Sequence, residues 1–252
     1  MGHRVNIVYL TTEDPLYLPS FFERVFSANH STAAVVAVRP LYGNQTVLDA
    51  VRRYVSTFGL RAAYGLARRT VGAKVRRRSI RSVCDRHGVS YQKAADLNDA
   101  AGLAIVRRLS PDVIVSVSCP QIFRQPLIEL PPRGCLNIHG AVLPQYRGVL
   151  PSFWMLANGE TTAGVSIFFV NDEIDGGELC GQRNFEIRDD DTLDTLLRRS
   201  KSVAADLLLE VLAQIEQGTV ARRPLDLHEG SYFSWPTRDA VSRFTARGRR
   251  LW

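Results

Sequence analysis

Residues 135–177 read CLNIHGAVLPQYRGVLPSFWMLANGETTAGVSIFFVNDEIDGG and contain three side-chain types that together suit proton-coupled chemistry. Asn137 and His139 stand two apart at the end of an apolar, strand-like run. Residues two apart on a strand point to the same face, so an amide and an imidazole emerge side by side. Asp175 follows a second apolar run in a glycine-flanked turn, within reach of the imidazole. An imidazole moves protons near neutral pH. A fixed amide N–H stabilises a developing oxyanion. A carboxylate orients the ring and favours its cation. The three suit acyl transfer to an amine, with no covalent enzyme intermediate and no metal, the chain's main task being to hold donor and acceptor together. Spacing alone does not establish this: Asn-x-His is a common pair, and a strand-end histidine satisfied by backbone groups is the ordinary alternative.

The elements that would position these residues alternate in type. Residues 5–10 (VNIVYL) and 33–38 (AAVVAV) are short β-branched runs of the kind found in buried parallel strands, and residues 16–26 between them have helical spacing. A strand–helix–strand opening predicts an α/β sheet, which binds ligands at the carboxyl ends of its strands. Helices are expected at 47–58 and 60–81, the second weakened at Gly65 and Gly72. A strand at 89–92, a helix at 97–109 capped near Asp96 or Asn98, and a strand at 112–116 follow. Next come a short helix at 121–130 interrupted by Pro126, a strand at 135–138, a loop at 140–151 and a helix at 152–157. Strands at 164–170 and 178–187 precede a long amphipathic helix at 191–217. The expected fold is α/β and Rossmann-like, a mainly parallel sheet flanked by helices. Its catalytic domain spans residues 1–217, with a basic helical insertion at about 41–88 and a C-terminal extension at 218–252. No GxGxxG follows the first strand and no P-loop pattern occurs, which removes the usual dinucleotide and nucleoside-triphosphate signatures.

Length and charge set wider bounds. The 252 residues make one generous domain or a domain with an appendage, and 45% hydrophobic with 23% charged residues is an ordinary globular composition. The net charge of +7 attracts anions such as phosphates, polycarboxylates, nucleic acid or an acidic membrane surface. Arg68, Arg69, Lys74, Arg76, Arg77, Arg78 and Arg81 crowd one segment, readable as a solvated helix or as a contact for phosphates. Arg243–Arg250 reads as a solvated tail, and His30, His87 and His228 as surface residues. Cys84, Cys119, Cys135 and Cys180 have neither zinc nor CxxC spacing and read as reduced thiols, so no metal is expected. No run of 18 apolar residues and no signal-peptide pattern occur, so the default is a cytoplasmic protein without a membrane span.

The stretches NIHGAVLPQYRG, LANGETTAGVSIFF and DEIDGG, in that order, closely resemble the formyltransferase family. That family includes glycinamide ribonucleotide, methionyl-tRNA and sugar N-formyltransferases. The resemblance rests on Asn137, His139, Leu143, Pro144, Gly148, Asp175 and Gly177 and covers residues 100–215 well, the N-terminal strands loosely. It implies N10-formyltetrahydrofolate as co-substrate. Asn137 and His139 would polarise the formyl group and manage protons, with Asp175 assisting. It further implies a pterin held by Pro120, Gln121, Ile122 and Phe123 and by Asn171, Asp172, Glu173 and Ile174. Two departures stand out: Gly140-Ala141 lacks a hydroxyl that many relatives carry, and Cys119-Pro120-Gln121 replaces a glycine-plus-apolar loop.

Tyr146, Arg147 and Trp154 are the candidate contacts for the acceptor; Arg147 reads equally as a surface residue, and aromatics on a short helix such as Phe153 and Trp154 are more often core. About 34 residues follow the long helix, too few for the C-terminal β-barrel of methionyl-tRNA formyltransferases. The aromatic-basic tail SYFSWPT looks more like sugar formyltransferases. The expected acceptor is therefore a small-molecule amine, first a nucleotide-linked amino sugar, with RNA ranked second and formyltetrahydrofolate hydrolysis third. A homodimer is left open.

Overall fold

The structure is a computed structural model and describes residues 5–28, 31–40 and 45–252; His30 lies outside the described residues. Five strands pair in parallel: β1 (Ile7–Thr12), β2 (Thr32–Val38), β3 (Ser90–Lys93), β4 (Val113–Val117) and β5 (Cys135–His139). β1, β2 and β4 read as near-continuous apolar runs because both faces of a parallel sheet are covered. The connecting helices are α1 (Leu18–Ser27), α2 (Val47–Phe58), α3 (Leu60–Val75), α4 (Ile80–His87), α5 (Ala100–Arg108) and the short α6 (Gln125–Ile128). After β5 come a two-residue strand β6 (Arg147–Gly148), α7 (Pro151–Asn158), β7 (Thr162–Phe169), β8 (Leu179–Glu186) and the long α8 (Leu193–Gln217). A 3-10 turn at Leu227–Glu229, β9 (Tyr232–Phe233) and α9 (Arg238–Ala246) complete the chain.

The main sheet runs β3-β2-β1-β4-β5-β7-β8, with β7 and β8 antiparallel to their neighbours. The Rossmann-like, mainly parallel sheet flanked by helices is thus borne out. The chain winds outward from β1 to β3, then returns to place β4 on the other side of β1. Such a reversal opens a crevice beyond the carboxyl ends of the two central strands. Two apolar layers sandwich the sheet. Leu136 and Ile138 join the layer that contains the α1 residues Phe21, Phe22 and Val25 and the α8 residues Leu208, Val211 and Leu212. Cys135 joins the opposite layer with Val106, Phe123 and Leu127. Strand alternation therefore sends Asn137 and His139 toward that second side.

Several local expectations shift. α3 passes through Gly65 and Gly72 unbroken; each glycine costs only about 1 kcal/mol in a helix, which tertiary packing overrides. The break comes instead at Arg77, held at φ 52°, after which Ser79 caps α4 by accepting the Ser82 N–H at 3.0 Å. α5 is capped by Asp99, whose carboxylate accepts the Gly102 N–H at 2.7 Å, rather than by Asp96 or Asn98. Pro126 opens α6 instead of interrupting it, because a first-turn position has no intrahelical N–H to lose. His87 is no lone surface residue: its Nε2 lies 2.9 Å from Glu23 Oε1.

The Arg-rich end is fastened rather than free. Phe244 of α9 is buried against α7, and Arg247 Nε donates to the Ala157 carbonyl at 3.1 Å. Arg249 Nη1 donates to the carbonyls of Arg188 and Asp189 at 2.8 and 2.9 Å. The insertion is tied to the same extension: Trp235 Nε1 donates to Thr57 Oγ1 at 3.0 Å, and Arg238 Nε to the Ser56 carbonyl at 2.8 Å. All four cysteines are unpaired. Among the described residues no helix is long and apolar enough to cross a membrane.

Candidate active site

β5 delivers its two polar residues to the carboxyl edge of the sheet. Asn137 stands opposite Ser116 on β4 and Phe168 on β7, and His139 opposite Ser166. His139 is 6% exposed, and both ring nitrogens face oxygen. Nε2 lies 2.7 Å from the Tyr146 carbonyl, and Nδ1 lies 3.5 Å from Asp175 Oδ2. A carbonyl only accepts, so the hydrogen resides on Nε2. Nδ1 is then the nitrogen that gains or loses a proton, with a carboxylate positioned to pair with the resulting cation. The strand-end histidine is thus satisfied by backbone at one nitrogen and faces an acid at the other.

The Asp175 turn is built for this approach. Asp175 Oδ2 also accepts the Gly148 N–H at 2.8 Å, which fixes the carboxylate to the loop after β5. Its backbone sits at φ 49°, a left-handed conformation that Asp adopts more readily than most residues. Gly177 must lack a side chain, since a Cβ there would fall 1.7 Å from the Phe169 carbonyl oxygen. The Asp-x-Gly spacing therefore expresses a close return of the turn onto β7. Ser166 holds the facing loop: its hydroxyl donates to the Ala141 carbonyl at 2.7 Å and accepts the Leu143 N–H at 3.0 Å. Asn137, half-buried at the same mouth, has no side-chain hydrogen bond among the described residues, which leaves its amide available to a ligand.

The two stretches implied to hold a pterin adjoin. Gln125 Nε2, at the start of α6 just past the first stretch, donates to Asp172 Oδ2 at 2.9 Å in the loop after β7. Ile122 and Ile174 stand bare on these loops at 69% and 47% exposure, and Asn171, Asp172 and Glu173 are exposed beside them. Gln121 and Phe123 do not face out with Ile122. Gln121 is spent on the Leu97 N–H and the Ala95 carbonyl, both at 2.8 Å, and Phe123 is buried in the core.

The candidate acceptor contacts also divide. Trp154 lines no cleft: it is buried, and its indole N–H donates to the Ser234 carbonyl at 3.0 Å. Phe153 is core. The Tyr146 hydroxyl is occupied, donating to Glu160 Oε1 at 2.5 Å; burial, then that bond, push the phenol up to about 12. Arg147 keeps a half-buried guanidinium whose Nε has no partner among the described residues.

One group escaped the sequence reading. Lys201 on α8 donates from Nζ to Ser118 Oγ at 2.7 Å, and Ser118 lies one residue past the Val117–Ile138 pair, level with His139. Burial lowers the Lys201 ammonium against the opposing pull of Asp14, whose own carboxyl burial raises. A lysine on an amphipathic helix reads as solvent-facing; only the crossover places it at the crevice between β1 and β4. Two open surface cavities, of about 300 and 400 Å³, lie away from the triad, the first lined by Glu13, Pro15, Lys74, Arg77 and Arg78, the second by residues of α1 and α8.

The sequence model of the formyl transferase family matches residues 63–212, more than half of the chain and all three triad positions. The chain belongs to the formyl transferase family. Methionyl-tRNA formyltransferase of Kosmotoga olearia is 32% identical over 161 residues, covering 64% of this chain and 52% of that protein. The chain thus spans about half the length of the curated relatives it matches. Among solved structures, glycinamide ribonucleotide transformylase 1 from Symbiobacterium toebii is 18% identical with TM-score 0.62, covering 90% of this chain and 96% of its own. The formyltransferase PseJ from Anoxybacillus kamchatkensis, solved with UDP-4,6-dideoxy-4-formamido-L-AltNAc and tetrahydrofolate, is 19% identical with TM-score 0.54, covering 94% and 88%. At such identity these two share the fold. The family match ends within α8, and residues 213–252 lie outside it.

Proposed function

We propose that this formyl transferase moves a formyl group from N10-formyltetrahydrofolate to a primary amine. The carrying observation is the imidazole of His139 pinned between the Tyr146 carbonyl and Asp175, beside the unspent amide of Asn137. When bound, the folate supplies an electrophilic formyl carbon and a nitrogen leaving group. Exposed Ile122 and Ile174, with the backbone of residues 171–174, fit a flat ring that is apolar on its faces and polar at its edge. The Asn137 amide donates to the formyl oxygen as negative charge builds there. His139 Nδ1 takes the proton released by the attacking amine and returns it to the departing nitrogen. Asp175 pairs with the imidazolium in between.

For the acceptor we favour a nucleotide-linked amino sugar. Supporting it are Lys201, bonded to Ser118 just past the end of β4, the unpartnered Nε of Arg147, and Lys74, Arg77 and Arg78 around the cavity at the end of β1. β1 lies two strands from β5, roughly 10 Å away at the usual strand spacing, about the span between a sugar amine and its diphosphate. A methionyl-tRNA acceptor is the second reading, favoured by the curated relatives and by the basic outer face of α3, where Arg61, Arg68 and Lys74 are exposed. The test supplies N10-formyltetrahydrofolate with no amine, with uridine- and thymidine-diphosphate amino sugars, or with methionyl-tRNA, and follows tetrahydrofolate release. Release only with an amino sugar is the expected result, and release only with the tRNA promotes the second reading. Release without an amine means hydrolysis, and absence of release under every condition removes the proposal.

A further inference from the structure

We infer that the C-terminal extension is a positioning element of the catalytic site: through Ser231 and Phe233 it holds the Tyr146 carbonyl against His139 and so decides which imidazole nitrogen exchanges protons. The kinetic half of this inference rests on the formyl-transfer reading; the half concerning the imidazole stands on geometry.

β9 of the extension lies alongside β6, the short strand inside the loop that follows β5. The Arg147 N–H donates to the Ser231 carbonyl at 2.9 Å and the Val149 N–H to the Phe233 carbonyl at 2.8 Å. Between them the Tyr146 N–H donates to Ser231 Oγ at 2.9 Å, and that hydroxyl donates onward to Gln145 Oε1 at 2.9 Å. The seam is too tight for a side chain at Gly148, whose Cβ would sit 2.2 Å from the Phe233 carbonyl oxygen. The Phe233 ring fills the space between Tyr146, stacked at 5.1 Å, and Trp154 at 4.7 Å.

These contacts oppose a real backbone preference. Tyr146 sits at φ 57°, and a left-handed conformation costs an aromatic residue about 1–2 kcal/mol. Such a residue keeps its conformation only where the surroundings impose it. Here they do: the N–H is bonded to Ser231, the ring is stacked on Phe233, and the hydroxyl is bonded to Glu160. The outcome is a carbonyl turned back toward His139 Nε2 at 2.7 Å. The extension also reaches the other partner of the ring: the Leu227 side chain lies against Gly176, next to Asp175. The Tyr146 carbonyl is thus braced by residues 231–233 and the Asp175 turn abuts Leu227, all outside the family match.

The experiment uses full-length protein with 15N-labelled histidine, with His139→Gln to assign the ring. In the wild type the unliganded His139 should show a single neutral tautomer with its hydrogen on Nε2. Ser231→Ala and Phe233→Ala should give the averaged shifts of mixed tautomers, and Ser231→Thr should restore the wild-type pattern. In turnover, Ser231→Ala should lower kcat by about tenfold at unchanged KM for the folate, with the acidic limb of the pH–rate profile displaced. Phe233→Leu replaces Phe233→Ala if the larger deletion unfolds the chain. Wild-type imidazole shifts in Ser231→Ala and in the Phe233 variant would overturn the inference, as would a mobile tautomer in the wild type. Altered shifts alongside no formyl transfer by any form would leave the positioning role standing and remove the proposed function instead.

Discussion

Asn137 and His139 share a strand face but differ in what surrounds them. His139 is surrounded by partners it needs for orientation: the Tyr146 carbonyl, the Asp175 carboxylate and the tight loop between them. Replacing it perturbs chemistry and architecture together. Asn137 has no side-chain partner among the described residues, so its amide contributes little to the resting structure. A half-buried amide left unpaired is destabilising unless a ligand or solvent satisfies it. Asn137→Ala should therefore leave the melting temperature within about 2 °C of wild type, as expected where no native interaction is removed. The same variant should lower kcat about 100-fold, the usual effect of losing one donor to a developing oxyanion. Thermal melts and tetrahydrofolate-release kinetics on one preparation check both halves. A large loss of stability with little loss of rate would make Asn137 a structural residue.

At the scale of elements, the site is a contract between β5, β7 and the two loops that follow them. Ser166 is fully buried on β7, and its hydroxyl also accepts from Gln182 Nε2 at 3.0 Å, so three groups depend on it. Ser166→Ala leaves the buried Leu143 N–H without its acceptor, a loss of about 1–3 kcal/mol. For a domain of this size that is roughly 5 °C in melting temperature, read by calorimetry. Kinetics should show a fall in kcat as well, because the loop that positions Tyr146 and Gly148 begins there. This level also marks where the sequence is legible. β5 and its polar pair were readable because alternation against an apolar background is a strong local signal. α2 was readable to its ends because Thr46 caps it and Gly59 closes it. The pairing of β6 with β9 was not, since two-residue strands have no period and their partners lie some 85 residues apart. The stacking of Tyr146 on Phe233 and the bond from Trp154 to Ser234 were hidden for the same reason: the extension that meets them cannot be seen from their own neighbourhood.

Across the whole molecule, one carboxylate near the start of α8, Asp194, gathers distant segments, and a second, Asp191, fastens the helix's own beginning. Asp194 accepts from Arg69 of α3 at 2.5 Å, from Arg198 Nε at 3.0 Å and from the Tyr17 hydroxyl at 2.9 Å, while its own N–H donates to the Leu251 carbonyl at 2.9 Å. Asp191 accepts from Arg199 at 2.6 Å, from the Arg188 N–H at 2.8 Å and from Thr195 at 2.8 Å. Burial by itself would raise both carboxyls, but the hydrogen bonds outweigh it and hold both below the ordinary aspartate range. The folded chain therefore binds these protons less readily than the unfolded chain. Their stabilisation is complete above the unfolded aspartate value of about 3.9 and is lost as pH falls through the lower folded values. Asp14 acts in the opposite sense, since burial raises its carboxyl and the penalty of ionising it is relieved in acid. Glu23, bonded to His87 and Arg86, and Asp49, bonded to Thr46, are also held low, so the lowered carboxyls outnumber Asp14 and the melting temperature should fall below about pH 4. Asp194→Asn should cost about 2 kcal/mol at pH 7, because it leaves the Arg69 guanidinium without its anion while keeping the shape. Its melting curve should converge on the wild type only as pH falls below the ordinary aspartate value and the wild-type carboxyl takes up its proton. Melts recorded at half-unit pH steps decide the point: parallel curves for wild type and variant would show that Asp194 does not join the insertion, the first helix and the chain's end in the way its contacts indicate.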